Sequence, residues 1–81
     1  MDIGVEVSLY PLDREFVPVI AAFIERLNLH PGLKVVTSSM STQIFGPYDS
    51  VMAMLAQECR TVFERADKSV FVLKIIGPYA P

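Results

Sequence analysis

One cysteine and one histidine are all that this 81-residue chain contains of either type. A single thiol closes no internal disulfide, so the fold cannot rest on covalent staples, and a reducing, cytoplasmic setting is expected. His30 and Cys59 lie on separate segments and do not assemble a zinc site. Met40, Met52 and Met54 have no cysteine or histidine at the spacing a copper site needs, and they read as gap-filling apolar side chains. There is no Lys/Arg run, and the net charge is −2, which argues against nucleic acid as the main partner. No stretch approaches the roughly 18 continuous apolar residues of a membrane span, and the first residues show no basic-then-apolar leader. Neither membrane insertion nor a signal peptide is therefore expected. A glycine-rich phosphate loop, a catalytic carboxylate pair and a Ser-His-Asp set are also missing, so the chain is not expected to be an enzyme or to call for a cofactor.

What the chain has in surplus is apolar surface. Its hydrophobic fraction of 52 % is high for one small domain spanning residues 1–81. A domain of this size buries only about 60 % of the surface its unfolded chain exposes. The excess points to a homo-oligomer, against the plainer reading of a tightly packed monomer.

The order of patterned segments fixes the architecture. Ile3, Val5, Val7 and Leu9 alternate with Gly4, Glu6, Ser8 and Tyr10, the period of a half-buried strand, and Pro11 ends it. Asp13 is a plausible helix N-cap, with Pro18 near the tolerated first turn. Phe16, Ile20, Phe23, Ile24 and Leu27 then form one stripe at helical spacing, and the helix stops over Asn28–Gly32. Two short strands, 33–37 and 41–45, flank Ser38-Ser39-Met40 and must form an antiparallel hairpin. Gly46-Pro47 breaks the chain, and Asp49 or Ser50 can cap a second helix whose core stripe is Val51, Leu55, Cys59 and Val62. Val70 to Ile76 is an apolar strand interrupted only by Lys74, the pattern of a strand buried on both faces. The result is an α+β βαββαβ plan, a four-stranded antiparallel sheet with two helices on one face. The other face is left bare, and Tyr10, Val36 and Phe45 are expected there. An apolar bare face has to meet a partner or a ligand.

The candidate chemistry divides between functional and structural readings. Cys59, on the helical stripe, reads as a small core hydrophobe rather than a nucleophile. His30, beside Pro31, reads as a solvated loop or interface residue. Glu6 shares a face with Ser8 and Tyr10; it can meet a cationic ligand, or pair with Lys34 or Lys74. Ser38, Ser39, Ser41 and Thr42 supply hydroxyls that both donate and accept, as a neutral heteroaromatic ring with mixed nitrogens requires, while Tyr10 and Phe45 can stack on such a ring. Turn residues bonded to their own backbone are the alternative.

These segments carry a resemblance. Val7-Ser8-Leu9-Tyr10-Pro11-Leu12, Phe16-Val17-Pro18-Val19-Ile20 and Met40-Ser41-Thr42-Gln43-Ile44-Phe45-Gly46 resemble the YkoF-like thiamine-binding family in order and spacing, over nearly the whole chain. The resemblance implies a ferredoxin-like fold and chains that pair sheet to sheet into a homo-dimer or homo-tetramer. It also implies binding, without turnover, of thiamine or its hydroxymethylpyrimidine part in thiamine uptake or salvage in the cytoplasm. By position, Ser8, Tyr10, Ser41 and Thr42 match the family motifs and are the leading pocket residues, with Glu6, Ser39, Met40 and Phe45 as neighbours. Two rivals stay open at this level. One is a self-assembling structural or regulatory module that binds no metabolite. The other is an acylphosphatase-like hydrolase, whose phosphate cradle is missing: Arg14 is the only arginine near the first strand, and no glycine-rich loop precedes it.

Overall fold

Alternation builds the central strand. In the computed structural model, which describes all of Met1–Pro81, β1 runs over Asp2–Pro11, followed by α1 (Phe16–Leu27), β2 (Lys34–Thr37), β3 (Thr42–Pro47), α2 (Tyr48–Arg65) and β4 (Ser69–Ile76). Ile3, Val5, Val7 and Leu9 of β1 are buried under the helices. Strand order is β2-β3-β1-β4 with every neighbouring pair antiparallel, the ferredoxin-like arrangement expected from the element order. Directly opposed residues share a face. The register Val5↔Ile44 and Glu6↔Gln43 therefore assigns Ile44 to the helix side and Gln43 to the open side.

One core of eleven residues lies between the layers. It joins the β1 quartet and Ile44 to Phe23 and Leu27 of α1 and to Val51, Met54, Leu55 and Val62 of α2. Phe23 carries an aromatic chain outward: its ring centroid is 5.3 Å from Phe71 of β4, which is 5.5 Å from Phe63 of α2 in an edge-to-face pair. Pro18 is the third helical residue of α1, where its missing N–H needs no partner. Asp13 sits further out than a cap: its Oδ1 accepts from the Glu15 N–H at 3.0 Å, tightening the turn into the helix. At the far end Asn28 Nδ2 donates to the Ile24 carbonyl at 2.8 Å, and Gly32 takes φ +79°, a left-handed conformation that suits glycine. α2 starts at Tyr48, ahead of Asp49 and Ser50, so Asp49 lies in the first turn and favours the dipole without capping it.

Two expectations about packing are corrected. β4 is not buried on both faces: it is the outer strand next to β1, and most of its apolar side chains are exposed. An apolar run reports affinity for burial, and its place in the strand order decides whether burial occurs. On α2 the buried stripe passes through Glu58 rather than Cys59, which is only half-buried.

Candidate functional site

The open face of the sheet is built by Gly4, Glu6, Ser8 and Tyr10 of β1, with Gln43 and Phe45 opposite on one side and Lys74 and Ile76 on the other. Gly4 is what lets this face become concave. A Cβ there would stand 3.0 Å from Phe45 Cε1 and 3.2 Å from Ile76 Cγ2, so those two side chains close over the position a larger residue would fill. Around them lies a depression of about 330 Å³ whose walls include Glu6, Gln43, Lys74 and Tyr79. That is at the lower end of the roughly 300–1,000 Å³ typical of small-molecule sites. The Phe45 and Tyr79 rings face one another at 6.1 Å with 40° between their planes, an open wedge rather than a stack. Tyr79 is held there by its backbone N–H, which donates to the Asp2 carbonyl at 2.7 Å.

Glu6 supplies the negative charge of the basin. Its Oε2 accepts from Ser41 Oγ at 3.0 Å, and its Oε1 stands 3.7 Å from Lys74 Nζ. Of the two lysines open as partners in the sequence, the register selects Lys74. Lys74 is mostly solvent-exposed, so this pair is weak and easily exchanged for another cation.

A second cavity, about 150 Å³, opens on the opposite side of the sheet between α1 and the hairpin. A cavity of that size accommodates one benzene-sized ring. Its apolar walls come from Val7, Leu9, Ile20, Phe23 and Ile24, and its polar rim from Ser38 through Thr42. Thr42 is buried at 4 % exposure, with its hydroxyl 3.5 Å from that of Thr37.

The eight sequence candidates are thus divided. Glu6 and Phe45 line the open-face basin, whereas Ser39, Met40, Ser41 and Thr42 line the helix-side cavity. Ser41 connects the two through its bond to Glu6. Ser8 and Tyr10 border neither cavity; they extend the open face beyond the end of β3, where Tyr10 is 55 % exposed. The hydroxyl of Ser38 is spent on the turn, donating to the Ser41 carbonyl at 3.1 Å and accepting from the Met40 and Ser41 N–H groups at 3.4 Å. Sequence reasoning missed Gln43 and Tyr79 in the basin. Parity from Glu6 through the hairpin would have found Gln43; Tyr79 follows Gly77-Pro78 and belongs to no periodic pattern.

A second polar cluster, also missed, lies between the helices. Buried Glu58 accepts from Arg26 Nε at 3.1 Å through Oε1 and pairs with His30 Nε2 at 2.9 Å through Oε2. His30 is therefore half-buried and bonded rather than a free loop residue. A carboxylate four residues from Met54 and from Val62 on α2 is the signal that would have found it. Burial, followed by the Glu58 charge, raises the pKa of the neighbouring Cys59 thiol above its ordinary value. No group of three or more His, Cys, Asp or Glu side chains converges to hold a metal, and no helix is long and apolar enough to cross a membrane.

The comparison with protein families settles the relationship that the motifs suggested. The family described as thiamine-binding protein matches residues 5–76, from Val5 of β1 to the end of β4. The chain belongs to the thiamine-binding protein family. A comparison with curated proteins finds no match. Among solved structures, the chain is similar to a Thermotoga maritima protein described as a candidate in thiamine biosynthesis or salvage, at 21 % identity and TM-score 0.82 over 93 % of this chain and 82 % of that one. It is also similar to a Streptococcus pneumoniae protein, at 21 % identity and TM-score 0.89 over 98 % and 89 %, and to a hypothetical protein of Methanocaldococcus jannascii, at 27 % identity and TM-score 0.82 over 99 % and 84 %. These similarities show the fold, and the family match gives the chain a thiamine-related role.

Proposed function

We propose that the chain is a cytoplasmic, non-catalytic binding protein for thiamine or its hydroxymethylpyrimidine moiety, acting in thiamine uptake or salvage as a single domain. The observation that carries this reading is the Glu6 carboxylate, oriented by Ser41 and set in a basin walled by the Phe45 and Tyr79 rings. An aromatic wedge covers a planar heterocycle, and a fixed carboxylate offsets a cationic thiazolium. Ser41 holds the carboxylate in place, while Ser8 and Tyr10 extend the same face toward the ligand's far end. Ser39, Met40 and Thr42 rim the ring-sized cavity behind the hairpin, a second seat for the pyrimidine alone. No nucleophile, base and oxyanion donor meet at either place, so capture without turnover is the expected activity.

The same face supports a homo-dimer or homo-tetramer. Tyr10, Val36, Val70, Val72 and Ile76 form an exposed apolar layer around the basin, and a second copy's sheet would cover it. Such a contact would close the basin from above and share it between chains. The competing reading, self-assembly with no metabolite, rests on that layer alone.

Calorimetric titration of the purified protein with thiamine and with hydroxymethylpyrimidine tests the proposal. A small ligand with a few satisfied hydrogen bonds is expected to bind near 1 μM, about −8 kcal/mol. Glu6→Gln should weaken thiamine and spare the neutral pyrimidine. Thr42→Val should weaken whichever ligand uses the rear cavity by about 1–3 kcal/mol through an unmet hydrogen bond. Absence of heat with both ligands at high micromolar concentration would leave only the self-assembly reading.

A further inference from the structure

The helix layer holds a third depression, of about 220 Å³, between α1 and α2. Residues three and four apart share one side of a helix. Val19, Ala22 and Arg26 therefore form the α1 wall, and Val62, Arg65 and Ala66 the α2 wall. Val62 is buried and Val19 half-buried, so the interior is apolar. Ala22 and Ala66 contribute only methyl groups and leave the space between the helices unfilled. The charge of this groove runs against that of the chain. The sequence has nine acidic residues against seven Lys and Arg, yet two arginines and no acid line the groove. The two arginines differ. The Arg26 side chain is only 21 % exposed, and Glu58 Oε1 accepts from its Nε at 3.1 Å. That bond fixes the guanidinium and offsets its charge, while the two terminal nitrogens keep no partner within the chain. Arg65 lies in the last turn of α2, is exposed, and joins none of the three ion pairs of the structure.

We propose that this groove is an anion site for a small phosphate monoester carried on an apolar or aromatic body. A guanidinium is a planar fork of N–H donors that takes phosphate or carboxylate oxygens two at a time. A carboxylate has two oxygens and satisfies one fork. A monoester has three terminal oxygens and a charge close to −2 at neutral pH, enough to serve Arg26 and Arg65 together. Arg26, already held by Glu58, loses little freedom on binding, which favours the complex. Volume limits the body. About 150 Å³ holds a benzene-sized ring, so 220 Å³ leaves room for one ring or a short chain and its anionic head. Val19, Val62 and the two alanine methyls would cover that body, and the arginines would meet the phosphate at the rim. The groove belongs to the helix layer, away from the open face and the hairpin cavity, and the assignment does not rest on thiamine binding.

Titration of the ¹⁵N-labelled protein, followed by amide shifts in NMR spectra at fixed pH and ionic strength, tests the site with phenyl phosphate as the probe. Benzoate, inorganic phosphate and benzyl alcohol serve as comparators. Phenyl phosphate is expected to shift the amides of Ala22 and Ala66 and to saturate, with a dissociation constant on the order of 1 mM or below. Benzoate and inorganic phosphate should bind more weakly, since each lacks half of what the groove recognises, and neutral benzyl alcohol weakest of all. Two variants at exposed positions separate charge from shape. Arg65→Gln should weaken phenyl phosphate about tenfold or more through the loss of charged hydrogen bonds. Ala22→Leu keeps both arginines, fills the groove and should abolish saturable binding, while circular dichroism reports an unchanged fold. Benzoate binding as tightly as phenyl phosphate overturns the phosphate assignment. Shifts that fail to saturate, that lie away from both helices, or that survive unchanged in Arg65→Gln and Ala22→Leu overturn the site. No arm uses thiamine, so this outcome and that of the thiamine titration are read separately.

Discussion

Removal of the Glu58 carboxylate is expected to be among the most damaging single changes to stability outside the apolar core. Glu58 Oε1 holds Arg26 Nε at 3.1 Å and Oε2 holds His30 Nε2 at 2.9 Å, with the carboxylate almost wholly shielded from water and no buried polar side-chain atom left unpartnered. Glu58→Ala removes both acceptors and leaves a largely buried guanidinium with nothing to neutralise it. Breaking a buried pair in this way costs about 3–5 kcal/mol. Against a total of roughly 4–12 kcal/mol for a domain of this size, that is a large fraction of the whole. Glu58→Gln separates charge from shape. One amide oxygen can still accept from Arg26, and the imidazole can change tautomer so that Nε2 accepts from the amide NH₂. The isosteric change should therefore cost less, about 1–2 kcal/mol. The assay is urea unfolding followed by far-UV circular dichroism at fixed protomer concentration, since association would add to apparent stability. In thermal unfolding each kcal/mol corresponds to about 4–8 °C. Equal losses in the Gln and Ala variants, or a loss below about 1 kcal/mol for Glu58→Ala, would refute the view that Arg26 depends on this carboxylate.

Further outcomes follow from the same geometry. Phe23→Ala empties the contact between α1 and Phe71 and should cost about 3–5 kcal/mol in the same unfolding assay. Cys59, with its pKa raised by burial and by the Glu58 charge, holds less thiolate than a free cysteine at the same pH. Its alkylation by iodoacetamide at pH 8 should lag behind free cysteine and keep climbing as the pH passes 9, and Glu58→Gln should speed it. Gly4→Val forces a branched side chain against Phe45 and Ile76, so it should abolish the calorimetric signal of any ligand seated in the basin, while circular dichroism reports a folded sheet.

Local pattern reached as far as faces and stopped at neighbours. The β1 alternation identified the buried quartet, and the short Ser38-Ser39-Met40 turn forced β2 and β3 together, so strand types and the bare face were legible without coordinates. The apolar β4 run was misleading because periodicity carries no information about strand order; only the pairing with β1 reveals that its outer side is unpartnered. Thr42 illustrates a different gap. Ser41 and Thr42 adjoin in one motif and both line the helix-side cavity, yet the Ser41 hydroxyl donates to Glu6 of the open face while the Thr42 hydroxyl is buried beside that of Thr37. Glu58 was hidden by chemistry: a stripe defined by apolar residues passes over a carboxylate, although its spacing from Met54 and Val62 marks it as inward-facing. Its partners Arg26 and His30 lie 32 and 28 residues away, beyond any local rule.

A crystal structure with thiamine bound tests the central claim most directly. The account predicts the ligand in the Gly4 basin, with an aromatic ring between Phe45 and Tyr79 and its positive charge within about 4–6 Å of the Glu6 carboxylate. Thiamine lodged elsewhere with the basin filled only by solvent, or density for no ligand at saturating concentration, would contradict it.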